Sequence, residues 1–233
     1  MKTWKQIWEN RITDPIKHND NHVLTKLIQV DGFDGGGGDS HITAESWLAY
    51  ISLIKKELSI QESDSIFEVG CGCGAILYPL DRDGHKVGGL DFSETLITKA
   101  KELLPNADLF SCEASNLETL PMYDYVIANS MFFYFPDFEY ATLVLNKMYQ
   151  KAKKGLAILD VPDAQLKDVL EEKRRSACSN YDEKYKGLLH LYYPQKWFLD
   201  FAEHNECSKI TILQQNITNY GYNGLRFNCF IMK

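Results

Sequence analysis

Residues 66–74 read Ile66-Phe67-Glu68-Val69-Gly70-Cys71-Gly72-Cys73-Gly74, a short apolar run that passes through an acidic residue into three glycines at alternate positions. Residues 65–69 are predicted to form a buried strand, and the apolar pattern that resumes over residues 75–80 predicts a helix. Glycines between such elements can adopt positive φ, so backbone N–H groups can approach a ligand closely, and the N-terminus of the helix favours a negative group. The loop therefore predicts a cradle of nucleotide size.

The loop resembles the first motif of the class I S-adenosylmethionine (SAM) dependent methyltransferases, which is an apolar strand with Glu or Asp followed by G-x-G-x-G. The matching residues are Glu68, Gly70, Gly72 and Gly74. We also assign Cys71, between the first two glycines, to the cofactor site. The dinucleotide fingerprint G-x-G-x-x-G would need a glycine where this chain has Ala75. For the loop taken alone, a dinucleotide site and a purely structural turn remain as alternatives.

A second landmark of the family follows at the end of the next predicted strand, over residues 85–91. Asp91 comes 21 positions after Gly70, where an alternating strand and helix fold places an acidic side chain beside ribose hydroxyls. The resemblance implies that the next residue, Phe92, packs on adenine. The alternative for Asp91 is an N-cap for a helix over residues 94–103, and the two roles are compatible.

The third and fourth landmarks close the next two predicted strands. Residues 108–111 predict the third strand, after which the family commonly has Asp-Ala near the adenine amino group. Residues 123–130 resemble the family's fourth motif, an apolar strand that ends in small polar residues. The resemblance adds four residues to the cofactor site: Glu113, Ala114, Asn129 and Ser130.

An aromatic run follows the fourth strand over residues 131–137. Related enzymes that act on small molecules frequently have histidines at the positions of Phe133 and Tyr134, and their absence removes the most obvious general base. Aromatic ring faces attract a sulfonium or an ammonium, which is the functional interpretation of the run. A plain core cluster remains the alternative for Phe132 and Phe135.

The alternation of strand and helix up to residue 159, followed by two strands near the C-terminus, is typical of a doubly wound α/β sheet. With the resemblance, it implies a mostly parallel seven-stranded sheet in the order 3-2-1-4-5-7-6. We expect a single domain over residues 1–233 in four parts. These are an N-terminal helical cap and flap (1–60), the SAM-binding half (61–161), an insertion or lid after the fifth strand (162–193), and a helix with the last two strands (194–233).

Two N-terminal segments are candidates for parts that cover the site. Residues 3–11 have four residues at helical spacing, which predicts an amphipathic helix on the core or a flap over the site: Trp4, Ile7, Trp8 and Arg11. Residues 35–38 are four consecutive glycines, which predict a surface loop or, alternatively, the hinge of a gate. The nearby carboxylates lack EF-hand spacing, so calcium is not predicted.

Composition argues against several classes of protein. The chain has 233 residues, 45% of them hydrophobic, which is enough for one full core. A formal net charge of −7 without a basic stripe disfavours binding to nucleic acid and favours small or cationic substrates. The six cysteines form no C-x-x-C pair, so Cys71 and Cys73 are interpreted as small loop residues and no metal is predicted. We find no signal region and no run of membrane-spanning length, so we expect a cytoplasmic protein with reduced thiols and no membrane contact.

The resemblance implies an in-line displacement at the methyl carbon of SAM, with S-adenosylhomocysteine (SAH) as the product. An acceptor hydroxyl or ammonium would need a base, and four residues in segments expected over the carboxyl ends of the strands are candidates: His41, Tyr134, Asp160 and His190. We favour a small-molecule O- or N-methyltransferase. A methyltransferase acting on RNA or protein and a non-catalytic SAM-binding subunit remain as alternatives, and a monomer and a homodimer are both compatible with the sequence.

Overall fold

The computed structural model describes residues 3–9, 22–33 and 41–233. The strands are β1 (Ile66–Val69), β2 (Val87–Asp91), β3 (Asp108–Ser111), β4 (Tyr123–Asn129), β5 (Ala152–Pro162), β6 (Lys209–Gln214) and β7 (Arg226–Met232). The α-helices are α1 (Trp4–Glu9), α2 (Val23–Val30), α3 (Ala44–Glu57), α4 (Leu77–Arg82), α5 (Glu94–Leu103), α6 (Phe138–Lys151), α7 (Lys167–Ala177), α8 (Tyr181–Lys184) and α9 (Gln195–His204). Short 3₁₀ helices occupy Ala114–Asn116, Phe132–Tyr134 and Ala164–Leu166.

The strands form one seven-stranded sheet in the order β3-β2-β1-β4-β5-β7-β6, which confirms the predicted topology. The five strands from β3 to β5 are parallel, and β7 pairs antiparallel with both β5 and β6. The chain builds outward from β1 to β2 and β3, then returns to place β4 on the other side of β1. This reversal opens a crevice at the carboxyl ends of β1 and β4, where α/β sheets bind their ligands.

Side chains alternate between the two faces of the sheet along its central strands, as strand geometry requires. On β4, Tyr125 and Ile127 belong to the core that includes buried residues of α2, α3, α4 and α5. Val126 and Ala128 belong to the opposite core, which includes buried residues of α6 and α9. All four residues of β1 are buried, because the strand is central and covered on both faces.

Polar caps fix where the helices around the crevice begin. Thr43 accepts a hydrogen bond from the Ser46 amide at the start of α3, and Ser93 does the same from the Leu96 amide at the start of α5. The predicted helix over residues 94–103 is confirmed by α5. The sequence did not lead us to predict α2, whose N-cap residue, His22, makes no side-chain capping hydrogen bond.

The predicted insertion after the fifth strand corresponds to α7 and α8, which lie between β5 and α9. Arg11, the glycines at 35–38 and the predicted gate hinge lie outside the described residues. No α-helix in the described ranges has the length and apolar character needed to cross a membrane. The division of the chain into four parts stays a prediction.

Candidate active site

A cavity of about 350 Å³ lies at the carboxyl ends of the central strands. The loop after β1, the last residue of β2 with the residue after it, and the end of β4 all contribute to its wall. Ten of the eleven residues predicted for the cofactor site line this cavity. They come together because the carboxyl ends of neighbouring parallel strands lie at the same edge of the sheet. The ten are Glu68, Gly70, Cys71, Gly72, Asp91, Phe92, Glu113, Ala114, Asn129 and Ser130. We call this space the first cavity.

Gly74, the eleventh predicted residue, does not line the first cavity. A Cβ at this position would lie 3.1 Å from Cδ1 of Leu104, and φ is +97°. Gly74 therefore allows the loop to pass close to the residue that follows α5. The assignment to the cofactor is corrected to a structural one.

The backbone amides of the glycine loop donate their hydrogen bonds within the protein. The Gly70 and Cys71 amides both donate to the Leu90 carbonyl, at 2.7 and 2.9 Å, and the Gly74 amide donates to the Cys71 carbonyl at 2.9 Å. The expected cradle of free N–H groups for an anion is therefore not what the structure shows. Other amides of this loop donate to the carboxylates of Asp31 and Asp91.

Asp31, which follows α2, supplies the negative group at this loop. Its Oδ1 accepts a hydrogen bond from the Cys73 amide at 2.8 Å, and its Oδ2 accepts one from the Ala75 amide at 3.1 Å. Gly72 must be glycine here, because its φ is +54° and a Cβ would lie 2.7 Å from Cγ of Asp31. Sequence reasoning placed Asp31 in a surface loop and missed this role, since nothing local pairs position 31 with position 73.

Asp91 closes the next side of the first cavity and is 7% exposed. Its Oδ2 accepts from the Gly72 amide at 3.0 Å and its Oδ1 from the Ser93 amide at 2.8 Å, so it holds the glycine loop and the residue that caps α5. Burial raises the pKa of Asp91 to about 6, although these two amides oppose the shift. The N-cap of α5 is Ser93, which corrects the alternative that Asp91 caps this helix, and the Asp91 carboxylate lines the first cavity.

Glu68 lies deeper in the same wall, 3% exposed, on β1. Its Oε2 atom is buried and has no hydrogen-bond partner among the described residues. Burial raises the pKa of Glu68 well above its ordinary value, and the nearby charges of Asp31 and Asp91 add to this. An unpartnered buried carboxylate oxygen is costly, so the position is suited to a cationic donor from a ligand.

The two loop cysteines are buried thiols. Sγ of Cys71 lies 3.8 Å from the Gly72 carbonyl, and Sγ of Cys73 lies 3.7 Å from the Leu27 carbonyl. Burial raises the pKa of both thiols well above the usual value, so neither is prepared to bind a metal as a thiolate. Across residues 3–9, 22–33 and 41–233, no three His, Cys, Asp or Glu side chains cluster as metal ligands.

A second cavity, of about 370 Å³, adjoins the first. Six residues line both, and we call them the junction residues: Trp4, Trp8, Asp31, Phe33, Ser130 and Tyr134. The rest of its wall comes from the 3₁₀ turn after β4, from α7 and α8, and from residues next to β7. The two cavities are therefore parts of one continuous site.

Helix α1 contributes Trp4 and Trp8 to the walls of both cavities, and its role as a flap stays a prediction. Trp4 donates from Nε1 to the Leu189 carbonyl at 3.1 Å, and its ring lies 4.7 Å from the rings of both Tyr134 and His190. Lys5 reaches Glu113 at 3.9 Å on the other side. Thus α1 bridges the segment before α9 and the loop after β3.

Tyr134 and His190, two of the predicted bases, line the second cavity, and Tyr134 is also a junction residue. Nδ1 of His190 lies 3.4 Å from the Tyr181 hydroxyl. Burial lowers the pKa of His190 to about 2, and the charges of Arg174 and Arg226 contribute in the same direction. His190 is therefore neutral at pH 7 but a weak proton acceptor.

Asp160 and His41, the other two predicted bases, are not placed for proton transfer. Asp160 is fully buried, forms an ion pair with Arg226, and accepts hydrogen bonds from Ser130 Oγ at 2.6 Å and from the Tyr220 hydroxyl at 2.8 Å. This carboxylate belongs to a buried polar network and lines neither cavity. His41 is exposed and also lines neither cavity.

The chain is similar in sequence to one family of protein domains and to part of one long protein. Residues 66–155 match the family described as "Methyltransferase domain". A nonribosomal peptide synthetase, dtxS1 of Metarhizium robertsii (strain ARSEF 23 / ATCC MYA-3075), is 28% identical over 165 residues. The match covers 64% of this chain and only 2% of that much longer protein.

Two solved structures share the fold at low identity. Magnesium protoporphyrin IX methyltransferase ChlM of Synechocystis PCC 6803, with bound SAH, is 15% identical with a TM-score of 0.57, covering 98% of this chain and 90% of that chain. The plantazolicin methyltransferase BpumL, in complex with SAH, is 16% identical with a TM-score of 0.61, covering 81% and 82%. Residues 66–155 are therefore similar to a methyltransferase domain, and the chain shares the seven-stranded fold of these solved methyltransferases.

Proposed function

We propose that this chain transfers a methyl group from SAM to an oxygen or nitrogen of a small-molecule acceptor by in-line displacement, with SAH as the product. SAM occupies the first cavity and the acceptor occupies the second. The methyl group is transferred from SAM to the acceptor beside the junction residues, which line both cavities.

The observation that carries the proposal is the acidic character of the first cavity. Asp31, Glu68 and Asp91 line it together, and the loop amides that would hold a pyrophosphate already donate to Leu90, Asp91 and Asp31. A dinucleotide brings two phosphate charges to such a loop. SAM instead brings a sulfonium and an ammonium, which a carboxylate-lined cavity attracts.

Three residues fit SAM in ways that the structure supports. Glu68 has an unpartnered Oε2 atom for an ammonium, and Asp91 keeps lone pairs for ribose hydroxyls beyond the two amides that it accepts from. Phe92 lines the same cavity beside them, where an adenine ring can pack. The residues present therefore suit the cofactor.

When bound, SAM supplies an activated methyl group on its sulfonium sulfur. The protein's part is to hold the acceptor in line with that group, and such positioning lowers a barrier by up to about 7 to 11 kcal/mol in ideal cases. Trp4, Trp8 and Phe33 exclude water from the junction with their rings. With His190 a weak base, the site suits a nucleophile that is already deprotonated or neutral.

Isothermal titration calorimetry with SAM, SAH and NAD tests the cofactor assignment directly. We expect heat with SAM and SAH and none with NAD, and the reverse pattern would overturn the proposal. Turnover on a panel of small acids, phenols and amines, followed by mass spectrometry, tests the reaction. Binding of SAM without any turnover would favour a non-catalytic subunit, and inhibition by heparin, a polyanion, would favour an RNA substrate.

A further inference from the structure

Arg174 on α7 is a buried cation in the wall of the second cavity. It is 6% exposed, and its Nη1 atom donates to the Tyr192 hydroxyl at 2.6 Å. Its guanidinium carbon lies 5.8 Å from the centre of the Phe133 ring and 5.5 Å from that of Tyr192. Its Nη2 atom is buried and has no hydrogen-bond partner in the described part of the chain.

The neighbouring arginines have the ion-pair partners that Arg174 lacks. Arg226, equally buried, forms an ion pair with Asp160, and the exposed Arg175 forms ion pairs with Glu171 and Asp182. No carboxylate lies within 4.0 Å of the Arg174 guanidinium among residues 3–9, 22–33 and 41–233. Buried charges are normally paired, because an uncompensated charge loses its hydration without replacement.

The other described residues of the second cavity supply no free carboxylate to compensate the charge of Arg174. Asp31 is the acidic residue in the described wall, and both of its carboxylate oxygens accept from amides of the glycine loop. Arg174, Arg226 and Lys184 are the basic ones. The remaining surface is largely aromatic, including Phe133, Tyr181 and Tyr222, so it offers flat apolar walls around a positive group.

We propose that Arg174 binds a carboxylate of the acceptor, and that the acceptor is a small aromatic or otherwise flat organic acid. A planar guanidinium with an unused Nη2 atom can bind the oxygens of a carboxylate or of a phosphate, and phenyl phosphate separates these two anions in the test below. The aromatic walls then hold the apolar body of the molecule. This inference rests on the proposed function, whose acceptor it narrows to one chemical class.

The test compares matched acids and amides on the wild-type protein saturated with SAH. The probes are benzoate with benzamide, 4-hydroxybenzoate with 4-hydroxybenzamide, and phenyl phosphate, with binding followed by ligand-observed NMR and calorimetry. We expect each carboxylate to bind at least about tenfold more tightly than its amide, as hydrogen bonds to charged groups imply. Equal binding of acid and amide, no saturable binding of either acid, or tighter binding of phenyl phosphate would each overturn the proposal.

Variants then assign the effect to Arg174. We expect Arg174→Gln to weaken binding of 4-hydroxybenzoate at least about tenfold and Arg174→Lys to weaken it less, because lysine keeps the charge but not the planar fork. Arg175→Gln, next in the chain but exposed, should leave the affinity unchanged. Unchanged binding in Arg174→Gln would overturn the assignment. If Arg174→Gln does not fold, the comparison of acid with amide on the wild type still tests for an anion-binding group in the second cavity, and unchanged binding by Arg174→Lys would overturn the assignment to Arg174.

The failure of this inference is separable from the failure of the proposed function. SAH affinity is measured for every variant, and we expect it to stay the same in all three. If the wild-type protein did not bind SAH, the proposed function would be contradicted. A preference for acid over amide, measured without SAH, would then still show an anion-binding group in the second cavity, and the Arg174 variants would assign it.

Discussion

Three carboxylates from distant parts of the chain converge on one turn of backbone. Asp31 accepts two amide hydrogen bonds from it and Asp91 accepts one, and Glu68 lies beside them with one oxygen unpartnered among the described residues. Burial is the main reason why the pKa values of Glu68 and Asp91 are raised, and the neighbouring negative charges add to the shift. A cationic ligand relieves this repulsion, so binding and ionisation are linked at this site.

We expect Asp91→Asn to raise the dissociation constant of SAH at least about tenfold, because the substitution removes the charge that accepts ribose hydroxyls and weakens the hold on Gly72. Calorimetry measures the change. Asp83→Asn is the matched control, since Asp83 is exposed and pairs only with Lys55 among the described residues. An unchanged SAH affinity in Asp91→Asn would reject a role for this carboxylate in the cofactor site.

The affinity for SAM should depend on pH with a midpoint set by Asp91. Its pKa in the folded protein is about 6, above its ordinary value, so the neutral form dominates below pH 6 and the ionised form above it. A cation binds the ionised form, so affinity is full at pH 7 and lost as the pH falls through 6, with binding about tenfold weaker at pH 5. Calorimetry at pH 5, 6 and 7 should show this trend.

The Asp91→Asn variant separates this effect from other titrations. It should remove the part of the pH dependence centred near 6 and leave any part that comes from Glu68, whose pKa is also raised. The contribution of Asp91 to the stability of the unliganded wild type has the opposite trend. This contribution to the free energy of unfolding falls as the pH rises from about 3.9, the value for an unfolded Asp, toward 6, because the folded state resists ionisation of Asp91. A flat SAM affinity between pH 5 and 7 would contradict the linkage.

At the scale of elements, α1 and α7 cover the open side of the sheet. α1 contributes Trp4 and Trp8 to both cavities, while α7 contributes Arg174 to the second. Neither helix is part of the sheet or of the motifs that follow its strands. The loops after the strands thus provide most of the first cavity, and α1 and α7 contribute to the second.

We expect the double substitution Trp4→Ala with Trp8→Ala to weaken SAH binding at least about tenfold, because two aromatic rings that remove apolar surface from water are lost from the junction. Trp197→Ala is the matched control. Its ring packs against Tyr193 and Phe138 and lines neither cavity, so its loss should lower stability without changing SAH affinity. If the double variant bound SAH as the wild type does, α1 would cover the site without contributing to binding.

At the scale of the whole molecule, a buried polar network joins the end of β4, β5 and β7. Asp160 is its centre, with Arg226 as its counter-ion and with Ser130, Tyr220 and Gln215 as hydrogen-bond donors. Ser130 also lines both cavities. The network therefore fixes the wall between the two cavities to the C-terminal strand.

We expect Asp160→Asn to lower the free energy of unfolding by about 3 to 5 kcal/mol, because it leaves the charge of Arg226 buried and uncompensated. Adding Arg226→Met should recover part of the loss. Urea unfolding measures both, and Asp182→Asn, which breaks the exposed contact with Arg175, should cost only about 0 to 1 kcal/mol. Normal stability with abolished turnover in Asp160→Asn would instead support the base that the sequence suggested.

The amino-acid sequence by itself determined the positions of the strands and of the glycine loop, because apolar periodicity is a local pattern, and the predicted helix over residues 94–103 agrees with α5. The strand order and most residues of the first cavity followed from the resemblance of the motifs after the strand ends to those of a known family. Only the tertiary structure decided which charges meet. The contact from Asp31 to Cys73 spans 42 positions and that from Asp160 to Arg226 spans 66. The burial of Arg174 likewise depends on residues of other elements, because pairing and desolvation of charges are set by neighbours in space and leave no periodic signal in the chain.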